Sequence, residues 1–296
     1  MKLGEVLQKT IQFFKTKNFQ SPRLDAELLV AHALKIERIQ LYVKYDQPLI
    51  ENEIVACREV VKRRSQGEPV AYICGQKDFF GLSFKVTKDV LIPRPETEHL
   101  VENAIEWANK NISLNSKINI IDLGTGSGCI AIALAKKLVN SRVLAVEQSE
   151  PALNIARQNA ILNGVEERIE FIQDDCFLAE ANPQFQDFFK GVSRAQIVLG
   201  NPPYISFDDK LVDEAVRKFE PRDALFSKEQ GFQHLKGWFD VFYKILDRSS
   251  FFAFEVGIGQ AEVVKKFFES SNKFDEIFVV NDLSGIQRIV VGVCNG

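Results

Sequence analysis

Ile118-Asn119-Ile120-Ile121-Asp122-Leu123-Gly124-Thr125-Gly126-Ser127-Gly128-Cys129-Ile130-Ala131 is the stretch that decides the fold. Ile118–Leu123 reads as a buried strand, and Cys129 to Leu138 as a helix. A strand that is apolar on both faces and turns directly into a helix belongs to a sheet covered on both sides. The glycines between them let a ligand approach the backbone without Cβ clashes. The helix N-terminus adds amide donors. A dinucleotide site calls for G-x-G-x-x-G. Here the glycines stand at 124, 126 and 128, and position 129 is Cys. The pattern is G-x-G-x-G, with Asp122 two residues ahead of it. Asp122 can attract an ammonium group, in part through water, whereas it would repel a pyrophosphate. A tight turn with no ligand is the plainer alternative.

Downstream the chain alternates. Strands are expected at 142–146, 169–172, 196–199, 251–256, 275–280 and 288–293. Helices are expected at 151–162 (with Ser149 as cap), 232–246 and 260–269. With Ile118–Leu123 this makes seven strands in a mostly parallel α/β, Rossmann-like sheet. Upstream, Leu3, Val6, Leu7, Ile11 and Phe14 recur at helix spacing. Ser21-Pro22 looks like a cap and first turn, with Asp25 and Glu27 near the positive end of the dipole. A third helix runs from Glu51 to Arg64 and stops at Gly67. The chain therefore divides into a small helical bundle (1–75), a β-hairpin and Pro-rich linker (76–98), and an α/β domain (99–296). The stretch 177–194 reads as a loop or irregular helix.

The chain has 296 residues, 46% hydrophobic and 26% charged, with net charge −3. That composition is globular and argues against long disorder. The charge argues against a protein that grips nucleic acid by charge alone. Residues 1–80 hold 13 basic and 10 acidic side chains, against 24 and 30 in the remainder, so the two ends differ in sign. No apolar run reaches a membrane span, and the N-terminus does not read as a signal peptide. The five cysteines form no CxxC pair and the three histidines are scattered. No disulfide frame and no metal site are expected, and the default compartment is a reducing cytoplasm.

The loop Gly124-Thr125-Gly126-Ser127-Gly128 behind Asp122 is similar to those of S-adenosyl-L-methionine (SAM) methyltransferases. Glu147, at the end of the second strand, can accept both hydroxyls of a ribose. After the third strand, Asp175 (in preference to Asp174) can receive an adenine amino group, and the Cys176 amide can reach a ring nitrogen. The fourth strand runs into Gly200-Asn201-Pro202-Pro203-Tyr204. Such an element suits methyl transfer to a planar nitrogen whose lone pair is delocalised. The Asn201 oxygen accepts one N–H and the Pro202 carbonyl the other. The prolines stiffen the backbone that presents them, and Tyr204 packs on the planar group. No strong base is needed, because a methylated amide cation sheds its proton readily.

Over nearly its whole length the chain resembles the bacterial release-factor glutamine methyltransferases of the HemK/PrmC type. The matching stretches are Val90-Leu91-Ile92-Pro93-Arg94-Pro95-Glu96-Thr97-Glu98, DLGTGSGCIAIALA at 122–135, NPPYI at 201–205 and Phe219-Glu220-Pro221-Arg222-Asp223-Ala224-Leu225. Glu255-Val256-Gly257 with Gln260, and Asp282-Leu283-Ser284-Gly285 with Arg288, match as well. The resemblance implies a class I SAM-dependent methyltransferase fold. It also implies in-line N5-methylation of the glutamine in the Gly-Gly-Gln motif of class I peptide chain release factors. Asn201, Pro202, Pro203 and Tyr204 would hold the acceptor, with Asn201 also among the cofactor-binding residues, and the helical domain the release factor. The 93–98 segment would lie near the methionyl end of the cofactor. The expected partner is thus a protein, with no nucleic acid or membrane, for a monomer.

The chain departs from the family in having Glu at 147 where Asp is usual and Cys at 176 where a larger apolar residue is common. Segment 178–196 is longer, and Leu246-Asp247-Arg248-Ser249-Ser250 replaces a glycine-containing turn. The competing readings are an N-methyltransferase for an exocyclic amine of DNA or rRNA, and a non-catalytic SAM-binding module. The first calls for a basic surface, yet residues 81–296 carry net −6. The second calls for a damaged loop or NPPY element, and both are intact.

Overall fold

The computed structural model describes residues 1–190 and 194–296. In chain order the elements are α1 (Leu3–Thr16), α2 (Pro22–Leu34), α3 (Gln40–Val43), α4 (Glu51–Ser65) and α5 (Val70–Cys74). Then come β1 (Gln76–Phe79), β2 (Leu82–Lys85), α6 (Pro95–Asn111), β3 (Ile118–Leu123), α7 (Cys129–Lys137), β4 (Ser141–Glu147) and α8 (Glu150–Asn163). Next are β5 (Ile169–Gln173), α9 (Pro183–Phe188), β6 (Ala195–Gly200), β7 (Ile205–Ser206), α10 (Glu214–Phe219) and β8 (Phe226–Ser227). The last are α11 (Gln233–Phe242), β9 (Leu246–Glu255), α12 (Ala261–Ser270), β10 (Glu276–Asn281) and β11 (Gln287–Asn295). The chain forms two compact units, Met1–Gln76 with Asp213–Phe219, and Lys77–Val212 with Glu220–Gly296.

The smaller unit is helical. Leu3, Leu7, Ile11 and Phe14 of α1 are buried with Leu29 and Val30 of α2 and Ile54, Cys57 and Val60 of α4. Ser21 stands at the N-cap of α2, but its side chain accepts no capping bond. The acids of that helix do more than favour its dipole. Asp25 is buried against Arg64 at 2.8 Å, and Glu27 takes Arg23 at 2.8 Å, Arg38 at 3.3 Å and the Tyr42 hydroxyl. A buried carboxylate persists only when it is paired in this way.

In the larger unit the strand order is β10-β11-β9-β6-β3-β4-β5, with β11 antiparallel to both neighbours and β3, β4, β5, β6 and β9 parallel. Ile118 and Ile120 face one core layer, with α6 and α7, while Ile121 and Leu123 face the other, with α9, α11 and α12. From β3 the chain moves outward through β4 and β5, then returns across β3 to β6. That reversal leaves a crevice at the carboxyl ends of β3 and β6, where open α/β sheets bind ligands.

Two local expectations need correction, the hairpin as linker and the turn before β9, while the helix start after the prolines and the irregular helix within 177–194 take definite positions. The hairpin is not part of a separate linker. Phe79 and Phe84 are buried in the larger unit's core, and the Asn159 amide bonds Lys85 N at 2.7 Å and Lys85 O at 3.0 Å. The Pro-rich segment runs straight into α6. Pro95 opens the helix, where its missing N–H costs nothing, and Leu100, Val101, Ala104, Trp107 and Ala108 bury one face. Strand β9 begins at Leu246, because Ser249 and Ser250 pair with Asn295 and Cys294. In the 177–194 stretch, α9 buries Phe185 and Phe188, while Gly191, Val192 and Ser193 lie outside the described residues.

Candidate functional site

Leu123 and Gly200 are paired neighbours at the ends of β3 and β6, so the glycine loop and the NPPY element leave the sheet side by side. Between them opens a cavity of about 450 Å³. Its wall includes Gly124, Thr125, Gly126, Ser127, Glu147, Asp175, Cys176, Asn201 and Pro203 of the expected site. Asp122, Gly128, Pro202 and Tyr204 are not on that wall.

Asp122 is fully buried beneath the loop. Its Oδ2 accepts the Thr125 hydroxyl at 2.6 Å and the Ala131 amide at 3.1 Å, while Oδ1 has no partner among the described residues. Burial pushes the carboxyl up to about 7, against those two hydrogen bonds, with nearby Glu147 adding to the rise. Glycine is required at 124 because a Cβ there would lie 2.6 Å from the Trp238 ring. Gly128 serves packing instead. A Cβ on it would lie 2.9 Å from Ile132 and 3.2 Å from Ala156, so it lets α7 and α8 close together.

Glu147 reaches back to the loop. Its Oε2 accepts Gly126 N at 3.0 Å and its Oε1 accepts Ser149 N at 2.9 Å, and Glu147 lines the cavity. Burial raises its carboxyl, opposed by those amides. The two following acids separate cleanly. Both oxygens of Asp174 are engaged, by Asp175 N at 2.8 Å and Asn182 Nδ2 at 2.7 Å. Asp175 caps Phe177 N at 3.0 Å through Oδ1 and keeps Oδ2 without a partner among the described residues. A nucleoside with a cationic arm fits this set. It offers a carboxylate with spare lone pairs, an acceptor at the far edge, and a buried unpaired carboxylate oxygen under the loop.

On the acceptor side, Asn201 Nδ2 donates to Thr97 Oγ1 at 3.3 Å, and Asn201 Oδ1 has no partner among the described residues. Thr97 donates to Glu255 Oε2 at 2.6 Å, and Tyr204 donates to Glu255 Oε1 at 3.2 Å. Burial raises the Glu255 carboxyl, opposed by these two donors, and burial also raises the Tyr204 phenol. Gln260 Nε2 donates to Tyr204 O at 2.9 Å while its Oε1 accepts Gly257 N at 2.9 Å. The NPPY backbone is thus braced from β9 and the loop after it.

Known proteins resemble this chain both in sequence and in structure. The family described as PrmC N-terminal domain matches residues 5–75, and ribosomal protein L11 methyltransferase (PrmA) matches residues 99–190. A release factor glutamine methyltransferase of Rhodopirellula baltica is 37% identical over 288 residues, covering 96% of this chain and 94% of the relative. One of Chlorobaculum tepidum is 39% identical over 286 residues, covering 96% and 94%. The chain belongs to the release factor glutamine methyltransferase family. Among solved structures, the hMettl16 catalytic domain in complex with MAT2A 3′UTR hairpin 1 superposes with TM-score 0.54 at 14% identity, covering 82% of this chain and 80% of that one. That likeness shows a methyltransferase fold.

In this release factor glutamine methyltransferase family member, the site components that sequence reasoning misses are Thr97, Glu255, Gln260 and Trp238. The first three stand in stretches that resemble the family, which implies a place near the methionyl end of the cofactor for the 93–98 segment but no role for Thr97, Glu255 or Gln260 individually. Trp238 carries no signal beyond an apolar helix position; it lines the cavity, and its Nε1 has no partner among the described residues. Arg94 and Glu220, also in family-like stretches, meet at 2.5 Å, and Glu220 also accepts Ile92 N at 3.2 Å. This pair ties the PRPE segment to the FEPRDA segment along the cavity rim. Among the described residues no helix is long and apolar enough to cross a membrane.

Proposed function

We propose that this chain uses S-adenosyl-L-methionine to methylate N5 of the glutamine in the Gly-Gly-Gln motif of class I peptide chain release factors. The observation that carries the proposal is the adjacency of the glycine loop and an Asn201 amide whose oxygen faces away from its own hydrogen-bond partner. Glu147 holds the ribose hydroxyls, Asp175 and the Cys176 amide the adenine, and Asp122 draws the ammonium through the loop. When bound, the cofactor supplies an electrophilic sulfonium methyl. The chain's own work is to orient the acceptor. Asn201 Oδ1 and the Pro202 carbonyl accept the two amide hydrogens and favour a pyramidal nitrogen. Tyr204, braced by Gln260 and Glu255, supports the NPPY backbone. The chain acts as a monomer in a reducing compartment, where all five cysteines stay thiols.

The test is transfer of labelled methyl from SAM to a release factor and to its Gly-Gly-Gln Gln→Ala variant, with duplex DNA and rRNA alongside. Label is expected on the first substrate only. Label on nucleic acid with none on the release factor would overturn the proposal.

The helical unit is proposed to hold the release factor body. Removing residues 1–76, with Asp213–Phe219 replaced by a flexible link because it belongs to the same unit, is expected to weaken release-factor binding at least about tenfold, or 1.4 kcal/mol. SAM affinity is expected to persist. Calorimetry with each ligand reads both, and unchanged release-factor affinity would end this division of labour.

A further inference from the structure

We propose that Thr97 and Glu255 are positioning residues that fix which end of the Asn201 side-chain amide faces the acceptor. This rests on the reading that Asn201 Oδ1 accepts a substrate N–H. An amide side chain is nearly symmetric in shape, so packing alone does not choose between its oxygen and its nitrogen. Hydrogen bonding does. Glu255 accepts at both of its oxygens, from Thr97 Oγ1 at 2.6 Å and from the Tyr204 hydroxyl at 3.2 Å. Thr97 has a single hydroxyl hydrogen, and the shorter of these two bonds uses it. What Thr97 offers at its other side is a lone pair. The Asn201 atom 3.3 Å from it must therefore be the donor, Nδ2. Oδ1 is left for the cavity side.

The opposite rotamer would set Oδ1 against a lone pair and turn two N–H bonds toward a substrate NH₂, which is itself a donor. A polar mismatch of that kind is disfavoured at both ends. The relay thus makes an ambivalent amide act as an acceptor in one direction. Thr97 comes from the first turn of α6 and Glu255 from the end of β9, 158 residues away. Both act through Asn201 rather than on the substrate. Tyr204 hangs from the second oxygen of the same carboxylate, so one buried acid aligns both polar side chains of the NPPY element.

The experiment uses the full chain with an intact release factor. Rates and KM are measured at saturating SAM, SAM Kd by calorimetry, and folding by thermal melting. Thr97→Val keeps the branched shape and removes the hydroxyl. Its kcat is expected to fall roughly 10- to 100-fold, with release-factor KM and SAM Kd within about twofold of wild type. Thr97→Ser restores the hydroxyl and is expected to recover kcat to within about threefold. Glu255→Gln is expected to repeat the Thr97→Val loss, because its amide has one acceptor oxygen and cannot receive both hydroxyls in the same sense. A wild-type kcat in Thr97→Val overturns the proposal. So does a loss that falls on SAM Kd, since Thr97 also lines the cavity, and so does a failure of Thr97→Ser to rescue. If Thr97→Val loses its melting transition, Glu255→Gln carries the same two outcomes. Failure of the underlying reading looks different. Wild type would then leave the release factor unlabelled, or Asn201→Ala would keep its rate.

Discussion

Asn201→Ala is expected to lower methyl transfer by about 10²- to 10³-fold while leaving SAM affinity within about twofold. The substitution removes the side-chain oxygen that has no partner of its own and the Nδ2 bond to Thr97. The Pro202 carbonyl remains as a single acceptor, and one acceptor does not define the plane of an NH₂ group. The nitrogen lone pair then stays delocalised into the amide, and the barrier rises. Cofactor affinity should persist because Glu147 and Asp175 sit at the ends of other strands, with their own backbone anchors. Single-turnover transfer to the release factor and calorimetry with SAM separate the two quantities. A variant with the wild-type rate would remove Asn201 from the chemistry, and a variant that fails to bind SAM would make it chiefly a cofactor residue.

The sheet is readable in the sequence because its central strands are apolar on both faces and each ends in a change of residue type. Ile118–Leu123 is bounded by its glycines, and Ala195–Gly200 by Asn201 and two prolines. The contiguity of these two loops also follows, since an alternating α/β chain that reverses direction once brings two strand ends together. What the sequence hides has local causes. Pro93 and Pro95 read as a linker plus helix start without a fixed boundary, which the structure puts at Pro95 with an apolar stripe behind it. The polar run Asp247–Ser250 looks like a turn, although backbone pairing with β11 carries it as strand. The glycine loop looks uniform, yet its members divide. Gly124 and Gly126 line the cavity, and Gly128 lets two helices meet. The support of Asn201 lies beyond any local pattern. It joins residues 97, 201, 204 and 255, and only the fold places them within hydrogen-bond reach.

Asp122→Asn is expected to make the cofactor-free protein more stable and to cripple its binding of SAM. The carboxyl is raised from 3.8 to about 7 chiefly by burial, so the folded state holds this proton more tightly than the unfolded one. For an acid raised in this sense, its favourable share of stability is complete below about 4 and is lost as pH climbs through about 7. Above that the folded protein keeps a buried charge with one oxygen unpartnered. Asparagine with its oxygen in the place of Oδ2 keeps the Thr125 and Ala131 bonds and removes the charge. At pH 8 the gain is of the order of 2–4 kcal/mol, since each tenfold change in proton affinity is worth about 1.4 kcal/mol. The melting temperature should then rise by several degrees. The difference from wild type should shrink as pH falls from 7 toward 4, because Glu255 titrates alike in both proteins and cancels, while Glu147, which adds to the rise of Asp122, is relieved of that neighbouring charge in the variant. SAM affinity should move the other way, weakening roughly 10-fold at pH 8, because the negative charge that draws the ammonium through the loop is gone. Wild-type affinity should itself decline below about pH 7, where Asp122 takes up its proton, and the variant's should not. Melting and calorimetry across pH 5–8 test both halves. An Asp122→Asn protein that binds SAM as wild type does would assign the ammonium to another group, and one that melts lower would show that the buried charge is stabilised by its surroundings.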